Sequence, residues 1–327
     1  MIDKLPYDIQ NFIASKLDAR DFTNLQIALC KRFDDCNFTP INIQEDLFGI
    51  PKKLNKRLDI NFKLYQNELK LFKDVHSIDS LDYMVKHVNM LGNVHTLNLY
   101  FTEVEDVRKL GNVYNLNLSE TGVHDVSMLG NVHTLDLSGT YIDDVIMLGN
   151  VYELNISYTD VYDISMLGNV HTLFINNTNI DDVSMLGNVH TLNISRTQVT
   201  DVSSLGNVYK LDISGTKVKD VSMLCNVHEL DISHTYVIDV SMLGKVHTLH
   251  LRSTDVSDVS KLGNVYELDL SLTKVIDVSM LGNVHKLDLS STDVSDVSML
   301  GNVYSLNILH TKVSDISMLG NVYKLYK

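Results

Sequence analysis

The chain has 327 residues, 44% of them hydrophobic, with no Trp and only three Pro, all within the first 51 positions. Residues 1–91 carry 13 acidic and 13 basic side chains, whereas residues 92–327 carry 28 acidic and 14 basic, so the whole net charge of −14 falls in the later part. Such a surface repels phosphate backbones and argues against a nucleic-acid partner. Three scattered cysteines, Cys30, Cys36 and Cys225, make neither a disulfide framework nor a metal site.

Residues 5–33 come first. Ile9, Phe12, Ile13 and Leu17 fall at helical spacing, and Asp21 is placed to start a second helix carrying Phe22, Leu25 and Leu29. Leu5-Pro6, Asp8-Ile9, Ile13, Leu17 and Leu29-Cys30-Lys31-Arg32-Phe33 follow in order and spacing the pattern of the F-box, which this segment resembles, with Phe33 where Trp is common. The resemblance implies a small all-α module over residues 1–40. Such a module docks on a Skp-type adaptor of a cullin ubiquitin ligase through Leu5, Pro6, Ile9, Ile13, Leu17 and Leu29. A helical cap over the open end of a solenoid is the other reading of the same residues. Residues 41–74 hold Pro51 and the run Lys52-Lys53-Leu54-Asn55-Lys56-Arg57, read as a linker, a cap and a solvated basic face.

From residue 75 onward a repeat decides the fold. The Leu-Gly-Asn-Val block returns every 19 residues, with its Gly slot at 92 and then through to 320, and no insertion interrupts it. Cys225 replaces one Gly and Lys245 one Asn. Twelve full repeats run over 94–321, after a worn one at 75–93 and before a fragment at 322–327. Each offers six apolar positions that no single repeat can bury, so the repeats must stack into a solenoid. The L-x-[LI] pair predicts a short strand with both apolar side chains inward. Thr, constant at the ninth position, is expected to bond the backbone where the chain leaves the strand. Asp, constant at the thirteenth, is expected to cap a single 3-10 turn. Gly-Asn is expected to supply a sharp, left-handed return.

The segment V-x-x-L-x-L-x-x-T-x-V resembles the leucine-rich repeat. The D-V-S-M-L that follows resembles internalin-type repeats, without their Pro and three residues shorter. The resemblance implies an α/β-type leucine-rich-repeat solenoid over 75–327, with a parallel sheet on one face, 3-10 turns on the other and weak curvature. Helical modules of the F-box kind followed by repeats this uniform also resemble proteins of large viruses that infect protists.

The second position of every repeat is His or Tyr, read as a stacked surface ladder in preference to a metal site. The strand's outward fifth position is Asn or Asp in ten of the twelve full repeats; Phe174 and His250 are the exceptions. The seventh is mostly Ser, broken among others by Asn176 and Arg252. Exceptions in a uniform ladder suit a binding hot spot. Tyr158, Phe174, Asn176 and Arg196 are therefore expected to form one target-binding patch, and His250 with Arg252 another. No catalytic motif, cofactor site, leader or membrane-length run is evident. The reading is an intracellular, cytoplasmic or nuclear protein-binding receptor, not an enzyme, with a target protein as partner. The unfinished strand begun by residues 323–327 is expected to pair two chains end to end.

Overall fold

In the computed structural model the described residues are 59–60, 76–79, 81 and 83–327. The F-box-like segment and most of the linker therefore lie outside them. The described residues fall into two compact units, divided between Ile142 and Asp143.

The first unit holds strands β1 (Asp59–Ile60), β2 (Ser77–Ile78), β3 (Thr96–Asn98), β4 (Asn115–Asn117) and β5 (Thr134–Asp136). Each pairs with the next in parallel, Leu97 facing Leu116 and Leu116 facing Leu135. The second unit continues the pattern with β6 (Glu153–Asn155), β7 (Thr172–Phe174), β8 (Thr191–Asn193), β9 (Lys210–Asp212) and β10 (Glu229–Asp231). Strands β11 (Thr248–His250), β12 (Glu267–Asp269), β13 (Lys286–Asp288), β14 (Ser305–Asn307) and β15 (Lys324–Tyr326) complete it. Its strands also pair in sequence order and in register. A step of 19 residues thus becomes one rung of about 4.8 Å.

The six apolar positions of each repeat form the core. In repeat 7 these are Val208, Leu211, Ile213, Val218, Val221 and Leu224, none more than 2% exposed. Full burial of such a side chain contributes about 1.5–3 kcal/mol, and neighbouring rungs share that gain. Exposed charges add cross-rung pairs at 2.7–2.9 Å, such as Lys210 with Glu229 and Lys286 with Glu267. Pairs of this kind are worth little individually.

The Thr expectation holds in every full repeat. Thr216, 1% exposed, donates its hydroxyl to the Ile213 carbonyl at 2.7 Å. Equivalent bonds run from Thr102 to Leu99 and on to Thr311 and Ile308. The Asp expectation holds as well. Asp182 and Asp201 accept the backbone N–H two residues on at 2.9 Å, at the mouth of the 3-10 turns Ser184–Leu186 and Ser203–Leu205. The turns stop after three residues because the following Gly slot must feed the next strand. Leu186 N–H reaches Val183 O, and Val189 N–H reaches Leu186 O, both at 3.0 Å.

The left-handed return does not sit at Gly-Asn. Gly187, for example, has φ −61°, an ordinary right-handed value. The Gly slot is small for a different reason: a Cβ on Gly187 would meet the Ser204 carbonyl oxygen of the next turn at 2.6 Å. The left-handed residue is the eighth of each repeat, just before Thr, with φ between 56° and 69° in all twelve. Only Gly139 and Gly215 are glycines there.

Candidate binding face

The outward side chains of the strand and of the turn after it line the open face of the sheet. Their conformation follows from one local bond. In ten repeats the fifth-position Asn or Asp turns an oxygen back to accept the seventh residue's N–H, as Asn193 does for Ser195 at 2.9 Å and Asp231 for Ser233 at 2.9 Å. That bond braces the turn that leaves the strand, although the eighth residue is left-handed with or without it, as Asn177 and Ser253 are at φ 56°.

Phe174 has no acceptor to give, so the Asn176 N–H is without this bond. His250 instead directs Nδ1 toward Asp269 Oδ2 at 4.0 Å, and the Arg252 N–H is likewise without it. Both exceptions thus forgo a turn hydrogen bond that each other full repeat makes.

Tyr158, Phe174, Asn176 and Arg196 come from three successive rungs. Phe174 lies in register between Asn155 and Asn193. Asn176 accepts the Ser157 hydroxyl at 2.6 Å through Oδ1, and its backbone carbonyl accepts the Tyr158 N–H at 3.1 Å. Tyr158 and Arg196 both occupy the left-handed position and project into solvent. Their rungs are separated by the one bearing Asn177. His250 and Arg252 lie three rungs beyond Arg196, where Arg252 Nη1 donates to Ser271 Oγ at 3.0 Å.

Electrostatics differ between the two groups. His250 stands in register between Asp231 and Asp269. The Asp269 carboxylate, 4.0 Å away, raises it above the ordinary imidazole value, against the effect of burial. Burial pushes Asp269 up, but the neighbouring His250 and the bonds from Ser271 outweigh it and hold the carboxyl below its usual range. Burial pushes Asp212 up, opposed by Ser214 and helped by Asp231. Phe174 thus stands between two neutral side chains, Asn155 and Asn193, whereas His250 stands between two carboxylates.

The His and Tyr side chains form the expected stack. Within the second unit, Tyr152, His171, His190, Tyr209 and the rings beyond them to Tyr323 pack with centroids 4.5–4.9 Å apart. Thr172 Oγ1 lies 3.2 Å from His171 Nδ1. Among the described residues no three metal-ligating side chains converge, and no helix is long and apolar enough to cross a membrane. A shallow depression between repeats 8 and 9 is lined by Asp239, Ser241, Asp258 and Lys261. Its carboxylates already accept the Ser241 and Ser260 N–H groups at 2.9 Å.

Two features were not anticipated from the sequence. One is the left-handed row, which ten non-glycine residues disguise. The other is a row of exposed methionines at the sixteenth position, from Met128 to Met318. Nine Met in twelve slots was its legible signal.

No family model matches the chain, and no curated relative does. Solved structures do. An internalin from Listeria monocytogenes is similar over 86% of this chain and 92% of its own, with a TM-score of 0.65 at 18% identity. A leucine-rich-repeat protein of Leptospira interrogans is similar over 94% and 98%, with a TM-score of 0.65 at 15% identity. A plant peptide hormone receptor in complex with RGF2 is similar over 77% of this chain and 51% of its own, with a TM-score of 0.57 at 14% identity. The chain therefore has the leucine-rich-repeat fold, with parallel strands and short 3-10 turns.

Proposed function

We propose that this chain is a protein-binding receptor whose open sheet face holds a target protein through Phe174, Tyr158, Asn176 and Arg196, with His250 and Arg252 as a second contact. The observation that carries this reading is the break in the Asn/Asp ladder. Phe174 and His250 each replace a residue that would have closed a turn, and put an aromatic or cationizable group on a solvent-facing sheet. The plant receptor of the same fold, with its peptide hormone, supports protein or peptide as the ligand class. The test is affinity capture with wild type and with Phe174→Ala. The variant should remain folded and lose the target; equal capture would remove Phe174 from the site.

The finer reading is a substrate receptor of an SCF-type ubiquitin ligase. Its support is the match of Leu5, Pro6, Ile9, Ile13, Leu17 and Leu29 to the F-box pattern. Ubiquitin transfer would then belong to partner enzymes. Co-purification with a Skp-type adaptor, lost on Ile9→Asp with Ile13→Asp, tests it. Failure of wild type to retain the adaptor leaves a binding scaffold with a helical cap.

A further inference from the structure

The turn side of the repeats carries a surface that the sheet face does not explain. Each 3-10 turn sends its seventeenth-position Leu into the core and leaves the residue before it outside. Met147, Met166 and Met185 are 59%, 55% and 60% exposed on three successive turns, with Ile146 at 51% and Tyr162 at 78% beside them. These turns stack directly: a Cβ on Gly149 would lie 3.9 Å from the Met166 Cβ, and one on Gly168 would lie 2.5 Å from the Met185 carbonyl oxygen. A contiguous apolar row of this kind on a protein surface marks an interaction site. Thioether side chains are flexible and polarisable, and adapt to partners of varied shape.

Charge decides what the row can take. From Asp143 to Ser195 the sequence has seven carboxylates and no Lys or Arg. Asp144, Asp163 and Asp182 stand three residues before the methionines and accept the Ile146, Ser165 and Ser184 N–H groups at 2.9 Å. Backbone and hydroxyl bonds from the two serines hold Asp163 and Asp182 below the usual carboxylate range, so both are ionised at neutral pH. Asp143 and Asp181 are exposed next to them. Ser204 interrupts the row, and the turns farther along carry Lys219, Lys245 and Lys261. An anionic membrane surface or a nucleic acid is repelled here. An acidic or uncharged apolar segment would leave the carboxylates uncompensated.

We propose that the turn surface around Met147, Met166 and Met185 is a docking site for a cationic amphipathic segment of a partner protein, separate from the sheet face. Apolar side chains of the segment would lie on the methionines, and its Lys or Arg on the flanking aspartates.

The experiment is calorimetric titration of the full chain with a synthetic Leu/Lys amphipathic peptide. A Ser/Lys peptide of equal charge serves as the control for charge alone. Wild type should bind the Leu/Lys peptide at least about tenfold more tightly than the control, with affinity falling as salt is added. Met147→Ser, Met166→Ser and Met185→Ser together should remove that preference while the thermal melt stays intact. Met223→Ser with Met242→Ser should leave it unchanged. Equal binding of the two peptides, or an unaltered preference in the triple variant, would overturn the proposal, as would an equal loss in the Met223/Met242 pair. Should the triple variant melt early, Met166→Ser alone makes the same comparison.

Discussion

The carbonyl oxygen of Met299 lies 2.6 Å from the point that a Cβ on Gly282 would occupy. Gly282 has φ −58°, so nothing in its backbone requires glycine. The slot is closed only by the next turn. Gly282→Ala must push the Met299 turn outward, and overpacking of this kind costs about 1–3 kcal/mol. Urea unfolding should register that loss. Cys225, which occupies the same slot, gives the converse test: Cys225→Gly should be neutral or stabilising, and a clear loss would show that the repeats do not press on each other there.

The eighth position makes the opposite demand. Leu272 has φ 57°, a state costing a residue with a Cβ about 1–2 kcal/mol. Leu272→Gly should therefore stabilise the fold by about 1 kcal/mol, although glycine usually weakens a structure. Gly215→Ala should destabilise it, since Gly215 has φ 69° and its Cβ would meet Arg196 Cγ at 3.1 Å. If the two variants shift the melting temperature in the same direction, the assignment of this turn is wrong.

These two slots also show what the sequence could and could not disclose. The core positions were legible because burial forces apolar side chains to recur, and the ninth-position Thr and thirteenth-position Asp were legible because each bonds backbone within three residues. In the sequence Gly reads as a left-handed turn because the same residue answers two needs, positive φ and close approach, and only the neighbouring rung distinguishes them. The true left-handed position holds Phe, Glu, Tyr, Asn, Arg, His, Ser and Leu as well as Gly, so no residue type marks it. Phe174 and His250 were visible as exceptions, but the hydrogen bond they forgo depends on knowing what Asn193 and Asp231 do.

Acid should act through the Asp caps. Backbone and hydroxyl bonds from the serines two residues on lower Asp201, Asp220, Asp277 and Asp315. A folded-state value below the unfolded one gives stability that is present above the unfolded value of about 3.9 and is lost as pH falls through the folded one. Thermal melts should change little between about pH 7 and pH 5 and fall below about pH 4. Asp277→Asn retains an acceptor but not the charge, so the variant should lose less on acidification than wild type. His250 runs the other way. Its raised value gives stability complete below about 6.5 and lost as pH rises through the folded value, and His250→Gln should remove that component.

The ladder exceptions separate folding from binding. Phe174→Asn would restore an acceptor for the Asn176 N–H, in register with Asn155 and Asn193. His250→Asn would do the same for Arg252 without adding a carboxylate between Asp231 and Asp269. A neutral hydrogen bond of this type contributes about 0.5–1.5 kcal/mol. Each variant should melt slightly higher than wild type, whereas a random surface change leaves stability nearly unaltered. If the open face binds a target through these side chains, capture of that target should fall in the same variants that gain stability. A rise in melting temperature with undiminished capture would mark the two positions as repeats that lost a turn bond, and would move the search for the target site to Tyr158 and Arg196. A fall in melting temperature would show that Phe174 and His250 already contribute more to packing than the missing bond, and that the ladder tolerates them for the fold's own sake.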